Sequence, residues 1–190
     1  GDNDDQQSCR TSFVLEYGSA GYTTPSGANY GSVKRLGQPM PRAHWRQDDP
    51  DTMDVGDVYG GGSPTGITVY ENGALGAAWE GTLLNCEPSR NTVLAYKLAA
   101  QKGAFALNES TRRNLITSNA AGEFAGTDFK RISMEEAAKP NDRILFRPSD
   151  IAVGPDGALY VADWYDSRVG GHQTLDDTCT GAIYRIAPKG

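Results

Sequence analysis

One phrase occurs twice in this chain, 84 residues apart. Pro64-Thr65-Gly66-Ile67-Thr68-Val69-Tyr70-Glu71-Asn72-Gly73 lines up with Pro148-Ser149-Asp150-Ile151-Ala152-Val153-Gly154-Pro155-Asp156-Gly157. A second apolar run follows each copy, Gly81-Thr82-Leu83-Leu84 in one and Ala158-Leu159-Tyr160-Val161 in the other. A third run closes each unit, Thr92-Val93-Leu94-Ala95-Tyr96-Lys97 and Gly181-Ala182-Ile183-Tyr184-Arg185-Ile186. Short apolar runs of this length, separated by Gly, Pro, Asp and Asn, read as strands rather than helices. In the second unit Ile151 and Val153 share one face, as do Leu159 and Val161, because side chains alternate along a strand. Pro155-Asp156-Gly157 supplies the turn between them: Pro presets φ and Gly takes the positive φ that reverses the chain.

Strand, turn, strand, loop, strand, used twice, is how a β-propeller builds its blades. The fold expected is therefore all-β, with blade-like units at about 64–98 and 148–187 of a single domain covering 1–190. At about 40–50 residues per blade the chain holds two to three, whereas closed propellers have about 4–8. The expectation is a partial ring with long loops. The opening Gly1-Asp2-Asn3-Asp4-Asp5-Gln6 has no initiator Met and no basic or apolar leader, which reads as the interior of something longer.

Outside the two units the signals are weaker. Ser12-Phe13-Val14-Leu15-Glu16-Tyr17 looks like a further strand, and residues 23–62 look mostly irregular. Ile132–Lys139 predicts two helical turns, with Ser133 and Glu136 as a capping box and Pro140 as the stop. The acidic run from Asp48 through Asp54 and Asp57 reads as a solvated loop. Trp45, Trp79 and Trp164 read as packing residues, and His44 and His172 as packing histidines. Cys9, Cys86 and Cys179 cannot all pair within one chain and have no metal-site spacing. A formal net charge of −6 leaves no basic footprint for nucleic acid, and no apolar stretch approaches the length of a membrane span.

The order of the motifs carries a resemblance. Ser63-Pro64-Thr65-Gly66, Trp79-Glu80-Gly81-Thr82-Leu83-Leu84, Arg147-Pro148-Ser149-Asp150 and Pro155-Asp156-Gly157-Ala158-Leu159-Tyr160-Val161 resemble the C-terminal blades of the soluble glucose/sorbosone dehydrogenases. The closing phrases Ala162-Asp163-Trp164-Tyr165-Asp166, Gly170-Gly171-His172 and Gly181 to Pro188 are similar to the propeller module of large bacterial putative membrane-bound dehydrogenases. Those often continue into helical repeats and a cytochrome c domain.

The resemblance implies a six-bladed propeller that oxidises a sugar or polyol with pyrroloquinoline quinone (PQQ) and calcium. It implies a periplasmic or secreted location, with a cytochrome c domain as electron acceptor. Arg147 falls on the first arginine of the family's Arg-x-Arg-Asp cofactor phrase; Ser149 replaces the second, and Asp150 keeps the aspartate. Arg90 stands near the family's quinone-reaching lysine and Tyr59 near an aromatic beside the cofactor. Asp4 and Asp5 match an acidic pair close to the calcium loop. The family's catalytic histidine lies upstream and has no counterpart here, so this stretch alone is expected to be inactive, since the substrate hydroxyl needs a base within reach. The loss of the second arginine keeps an alternative open: a non-catalytic propeller module that binds carbohydrate or a partner domain.

Overall fold

The structure is a computed structural model and describes residues 9–21, 52–71, 73–101, 103–119, 146–165 and 180–189. These residues are all-β. In chain order the strands are β1 (Cys9–Thr11), β2 (Asp57–Gly60), β3 (Ile67–Tyr70), β4 (Thr82–Glu87), β5 (Thr92–Lys97), β6 (Ala99–Gln101), β7 (Ala104–Ala106), β8 (Arg112–Thr117), β9 (Pro148–Val153), β10 (Leu159–Asp163) and β11 (Ala182–Ile186). Every pairing between them is antiparallel. The sheets run β1-β2, β3-β4-β5-β8, β6-β7 and β11-β10-β9.

Both repeated units hold strands where the sequence places them, and the first gains a fourth, β8. The sequence hides β8 because Arg112, Arg113 and Asn114 interrupt its apolar character. The 12–17 stretch is a correction. The strand is Cys9–Thr11, and the chain then turns, with Gly18 N donating to Leu15 O and Tyr17 at φ 61°. Gly56, at φ +71°, packs its backbone against Thr11 and Ser12, which turns the partner strand away and ends the ladder there. β2 lies within the stretch expected to be irregular. The helix expected at 132–139 lies outside the described residues, as do Trp45, His44 and His172.

The four-stranded sheet is covered on both faces. Leu84, Cys86, Val93 and Ala95 point one way, into a core shared with Phe146, Ile151, Leu159 and Val161 of the β9–β11 sheet. Leu94 and Tyr96 point the other way and pack with Cys9 and Tyr59 of the β1–β2 pair. Three sheets are thus stacked face to face in chain order. A strand covered on both faces loses the hydrophobic-polar alternation of a half-exposed one. That is why β5 is a run of buried residues broken only at Lys97. Trp79 packs against the first core, whereas Trp164 is half-exposed, contrary to its expected packing role.

Repeat-equivalent residues meet at the interface between the two units. Thr65 Oγ1 donates to Pro148 O at 3.2 Å, Gly66 N to Ser149 O at 3.1 Å, and Ala74 N to Gly157 O at 3.0 Å. Contact positions rise together along both segments, so β3 and β9 stand side by side in the same direction. Gly73 and Gly157, matched by the repeat, touch. A Cβ on Gly157 would lie 2.7 Å from Ala74 N and 2.8 Å from Gly73 Cα, and both glycines have positive φ. Only glycine tolerates both the backbone angle and the close approach.

Candidate functional site

The polar residues concentrate where β4 ends. Leu83 pairs with Val69 and Leu159 with Val153, so β4 and β10 correspond 76 residues apart, not 84. The connection after β3 is accordingly longer by eight residues, and the second and third apolar runs, set side by side in the sequence, are one residue out of step. A one-residue slip moves every side chain to the other face of a sheet. In the corrected register Glu87 at the end of β4 matches Asp163 at the end of β10.

These two acids are tied in the same way. Glu87 is fully buried and accepts from Ser63 N and, at 2.8 Å, from the Tyr59 hydroxyl; a backbone bond from Ser89 also reaches it. Asp163 is buried and accepts from Arg147 N and Tyr165 N, both at 2.8 Å. Ser63 and Arg147 are themselves 84 apart, and Ser89 and Tyr165 are 76 apart. Each unit therefore closes one end with a buried carboxylate that accepts from main-chain N–H groups, and in the first unit from a phenol as well. The energetic reason is that a buried carboxylate is tolerable only when its oxygens are satisfied.

Burial still dominates at Glu87. Desolvation pushes its carboxyl up to about 7 against the lowering effects of Ser63, Tyr59, Arg90 and Ser89. Burial, then the Glu87 charge and hydrogen bond, raises the Tyr59 phenol far above its ordinary range. Burial likewise pushes the Cys86 thiol up to about 12, which leaves it a packing group with no nucleophilic character. Gly62 has to be small here, because a Cβ would lie 2.7 Å from both Glu87 Oε2 and the Tyr59 ring.

Tyr59 and Arg90, expected at the site, come together. Arg90 ends the short 3-10 turn Pro88–Arg90. Its Nε donates to Gly61 O at 2.8 Å, its Nη2 donates to Tyr59 O, and its guanidinium stands 5.4 Å from the Tyr59 ring centre. Arg112 approaches the same ring at 5.7 Å and forms a 2.9 Å ion pair with Asp57. These residues line an open cleft of about 390 Å³ that also reaches Glu109 and Asn114. Asp57 is a second correction. It is buried, not part of a solvated run, and it also accepts from the Tyr96 hydroxyl at 2.9 Å.

Arg147 sits behind this turn and not in the cleft. Its side chain is 0% exposed and Nη1 donates to Pro88 O at 2.7 Å. Arg147 therefore fastens the turn that carries Arg90. Asp150 is exposed; its Oδ1 accepts from the next residue's N–H at 2.9 Å and fills the space left by the missing side chain of Gly66. Asp4 and Asp5 lie outside the described residues. Among the described residues no group of three or more His, Cys, Asp or Glu side chains is placed to hold a metal ion. A planar quinone bearing carboxylates needs guanidinium edges turned toward an opening. Arg147 is enclosed and bonded to a main-chain carbonyl, and Arg90 spends two donors on the backbone, so these residues as placed do not fit a quinone clamp.

Residues 28–189 match the family described as "Domain of unknown function (DUF7133)". The chain belongs to that family. No curated protein and no solved structure matches it. Among the described residues no helix is long and apolar enough to cross a membrane.

The sequence did not point to Glu87, Asp163 or Arg112. The signal for the acids was an Asp or Glu closing the second apolar run of each unit, obscured by the unequal connection before it.

Proposed function

We propose that this chain forms consecutive blades of a β-propeller, the C-terminal part of a six-bladed domain of the glucose/sorbosone dehydrogenase type. The whole domain oxidises a sugar or polyol in the periplasm or outside the cell, with PQQ and calcium as cofactors and a cytochrome c domain as electron acceptor. The observation that carries the reading is the stacking of three sheets in chain order, with Gly73 on Gly157 at the interface of the repeats. Successive blades of a propeller stack in this way around a common axis. In this reading the chain's own part is the framework. Glu87 and Asp163 close the blade ends, and Arg147 and Arg90 fix the Pro88–Arg90 turn at the rim of the cleft. The base and the cofactor ligands come from other parts of the domain.

A second reading is favoured by one specific observation, the enclosure of Arg147. A propeller whose arginine has turned inward to hold a carbonyl is suited to recognition of a carbohydrate or partner domain without redox chemistry. Calorimetric titration of PQQ into the intact propeller, with and without calcium, separates the two when paired with dye reduction using aldoses. Calcium-dependent heat and reduction support the dehydrogenase. No heat at any calcium concentration, with glycan binding retained, overturns it in favour of the recognition module.

A further inference from the structure

The chain is acidic, with a formal net charge of −6, yet Arg90, Arg112 and Arg113 all stand around the one cleft beside Tyr59. The acids near it are Glu109 at the rim, Asp57 beneath Arg112, and Glu87 enclosed behind the Tyr59 ring. Strand register decides which side chains serve the opening. Arg112 pairs with Tyr96 and Asn114 with Leu94, whose side chains point toward the β1–β2 pair, so Arg112 and Asn114 lie on that face. Arg113 pairs with Ala95 on the opposite face, where its guanidinium stands 6.0 Å from the Trp79 ring centre. It lends the cleft charge rather than contact.

Arg112 is held in place without being used up. Its Nη1 donates to Asp57 Oδ2 at 2.9 Å, while 21% of the side chain stays exposed. Its Nη2 lies 3.7 Å from Glu109 Oε1, too far for a hydrogen bond, and the Glu109 side chain is 88% exposed. Nε and Nη2, the edge that grips a planar carboxylate side-on, make no hydrogen bond among the described residues. The Asn114 amide is anchored at one end, 2.9 Å from the Thr92 hydroxyl, and its other end has no partner among the described residues. Leu94 lines the cleft with apolar surface. The volume, about 390 Å³, falls in the range of small-molecule sites.

We propose that this cleft binds a sugar acid, a monosaccharide unit that bears a carboxylate. The Arg112 edge takes the carboxylate, while the Asn114 amide and the Glu109 carboxylate take hydroxyls. A single negative charge suits the site better than a phosphate, because Glu109 stands beside the same guanidinium. The choice of a sugar rests on the carbohydrate-recognition reading; the choice of an anion rests on the cleft alone.

Calorimetric titration of the intact polypeptide tests it, without PQQ and with calcium chelated. The probes are glucuronate, galacturonate and mannuronate, their neutral hexoses, and inorganic phosphate. At least one uronate should bind roughly tenfold or more tightly than its hexose and than phosphate. Arg112→Lys keeps a cation for Asp57 but loses the fork, and should weaken that binding by roughly tenfold or more. Asn114→Asp alters an exposed residue and should weaken it by a similar factor, roughly tenfold, through like-charge repulsion, with the unfolding midpoint unchanged. A hexose that binds as tightly as its uronate overturns the anion, and phosphate that binds as tightly overturns the sugar. Uronate binding untouched by Asn114→Asp, or no uronate binding, overturns the site. Neutral glycan binding in that last case leaves the recognition reading standing, and PQQ binding, measured separately, decides the dehydrogenase reading.

Discussion

Glu87 makes the fold's stability depend on pH in a direction opposite to that of an ordinary salt-bridged acid. Its carboxyl is raised from 4.5 to about 7 in the folded state, chiefly by burial. Between those values the folded protein holds a proton that the unfolded chain releases. Stability is thus greatest below the unfolded value and is lost as pH rises through about 7. The shift corresponds to about 3 kcal/mol, at about 1.4 kcal/mol for each pH step. Glu87→Gln removes the titration while keeping one acceptor and one donor in place of the protonated acid. Its amide oxygen can accept from Ser63 N while its NH2 donates to the Tyr59 hydroxyl, the same pattern the protonated acid makes. Below pH 5 the variant should therefore be close to the wild type in stability. By pH 8 the variant should be the more stable by about 3 kcal/mol, as the wild type bears the ionised form. Urea unfolding of both proteins from pH 5 to 8, expressed as their difference, cancels the contributions of other acids. A difference that stays flat across that range would refute the account of Glu87 as a buried, reluctantly ionised group.

Arg147→Met should destabilise the protein by roughly 2–4 kcal/mol with no cofactor present, because the Pro88 carbonyl loses a charged donor in a buried place. Arg147→Lys should recover only part of this, since an ammonium cannot reproduce the guanidinium fork. An unchanged unfolding midpoint in both variants would return Arg147 to a ligand-facing role. Gly157→Ala forces a positive φ on alanine and drives its Cβ into the Gly73–Ala74 backbone. A loss of roughly 2–4 kcal/mol is expected in denaturant unfolding, and a loss below about 0.5 kcal/mol would mean that the two repeats are not in register at that turn.

Much of the fold was legible in the sequence because turn chemistry and apolar runs are local. The repeat located β3, β4, β5, β9, β10 and β11, and Pro155-Asp156-Gly157 marked its own turn. β8 was missed because a strand at the margin of a sheet can carry Arg112, Arg113 and Asn114 without penalty, so its composition resembles a loop. Residues 12–17 had the composition of a strand but no continuing partner, and a strand exists only where another backbone accepts its hydrogen bonds.

The site was legible only in part. The family resemblance brought Tyr59, Arg90 and Arg147 to notice, and the fold gathers them around one turn. It gives them different work, however, with Tyr59 and Arg90 at a cleft and Arg147 enclosed behind it. Asp57 shows the same limit. As a letter in an acidic run it reads as solvated, yet Arg112 and Tyr96, 55 and 39 residues away, make it a buried acceptor.

The sequence by itself determined that this is a repeated, strand-built chain, because the periodicity of two and the turn residues act over a few neighbours. Tertiary structure alone decided which acids are buried, which arginines face an opening, and how the two repeats are offset. Those depend mostly on contacts between residues some 15 to 90 positions apart, where no local pattern constrains the partner and burial sets the cost of every charge.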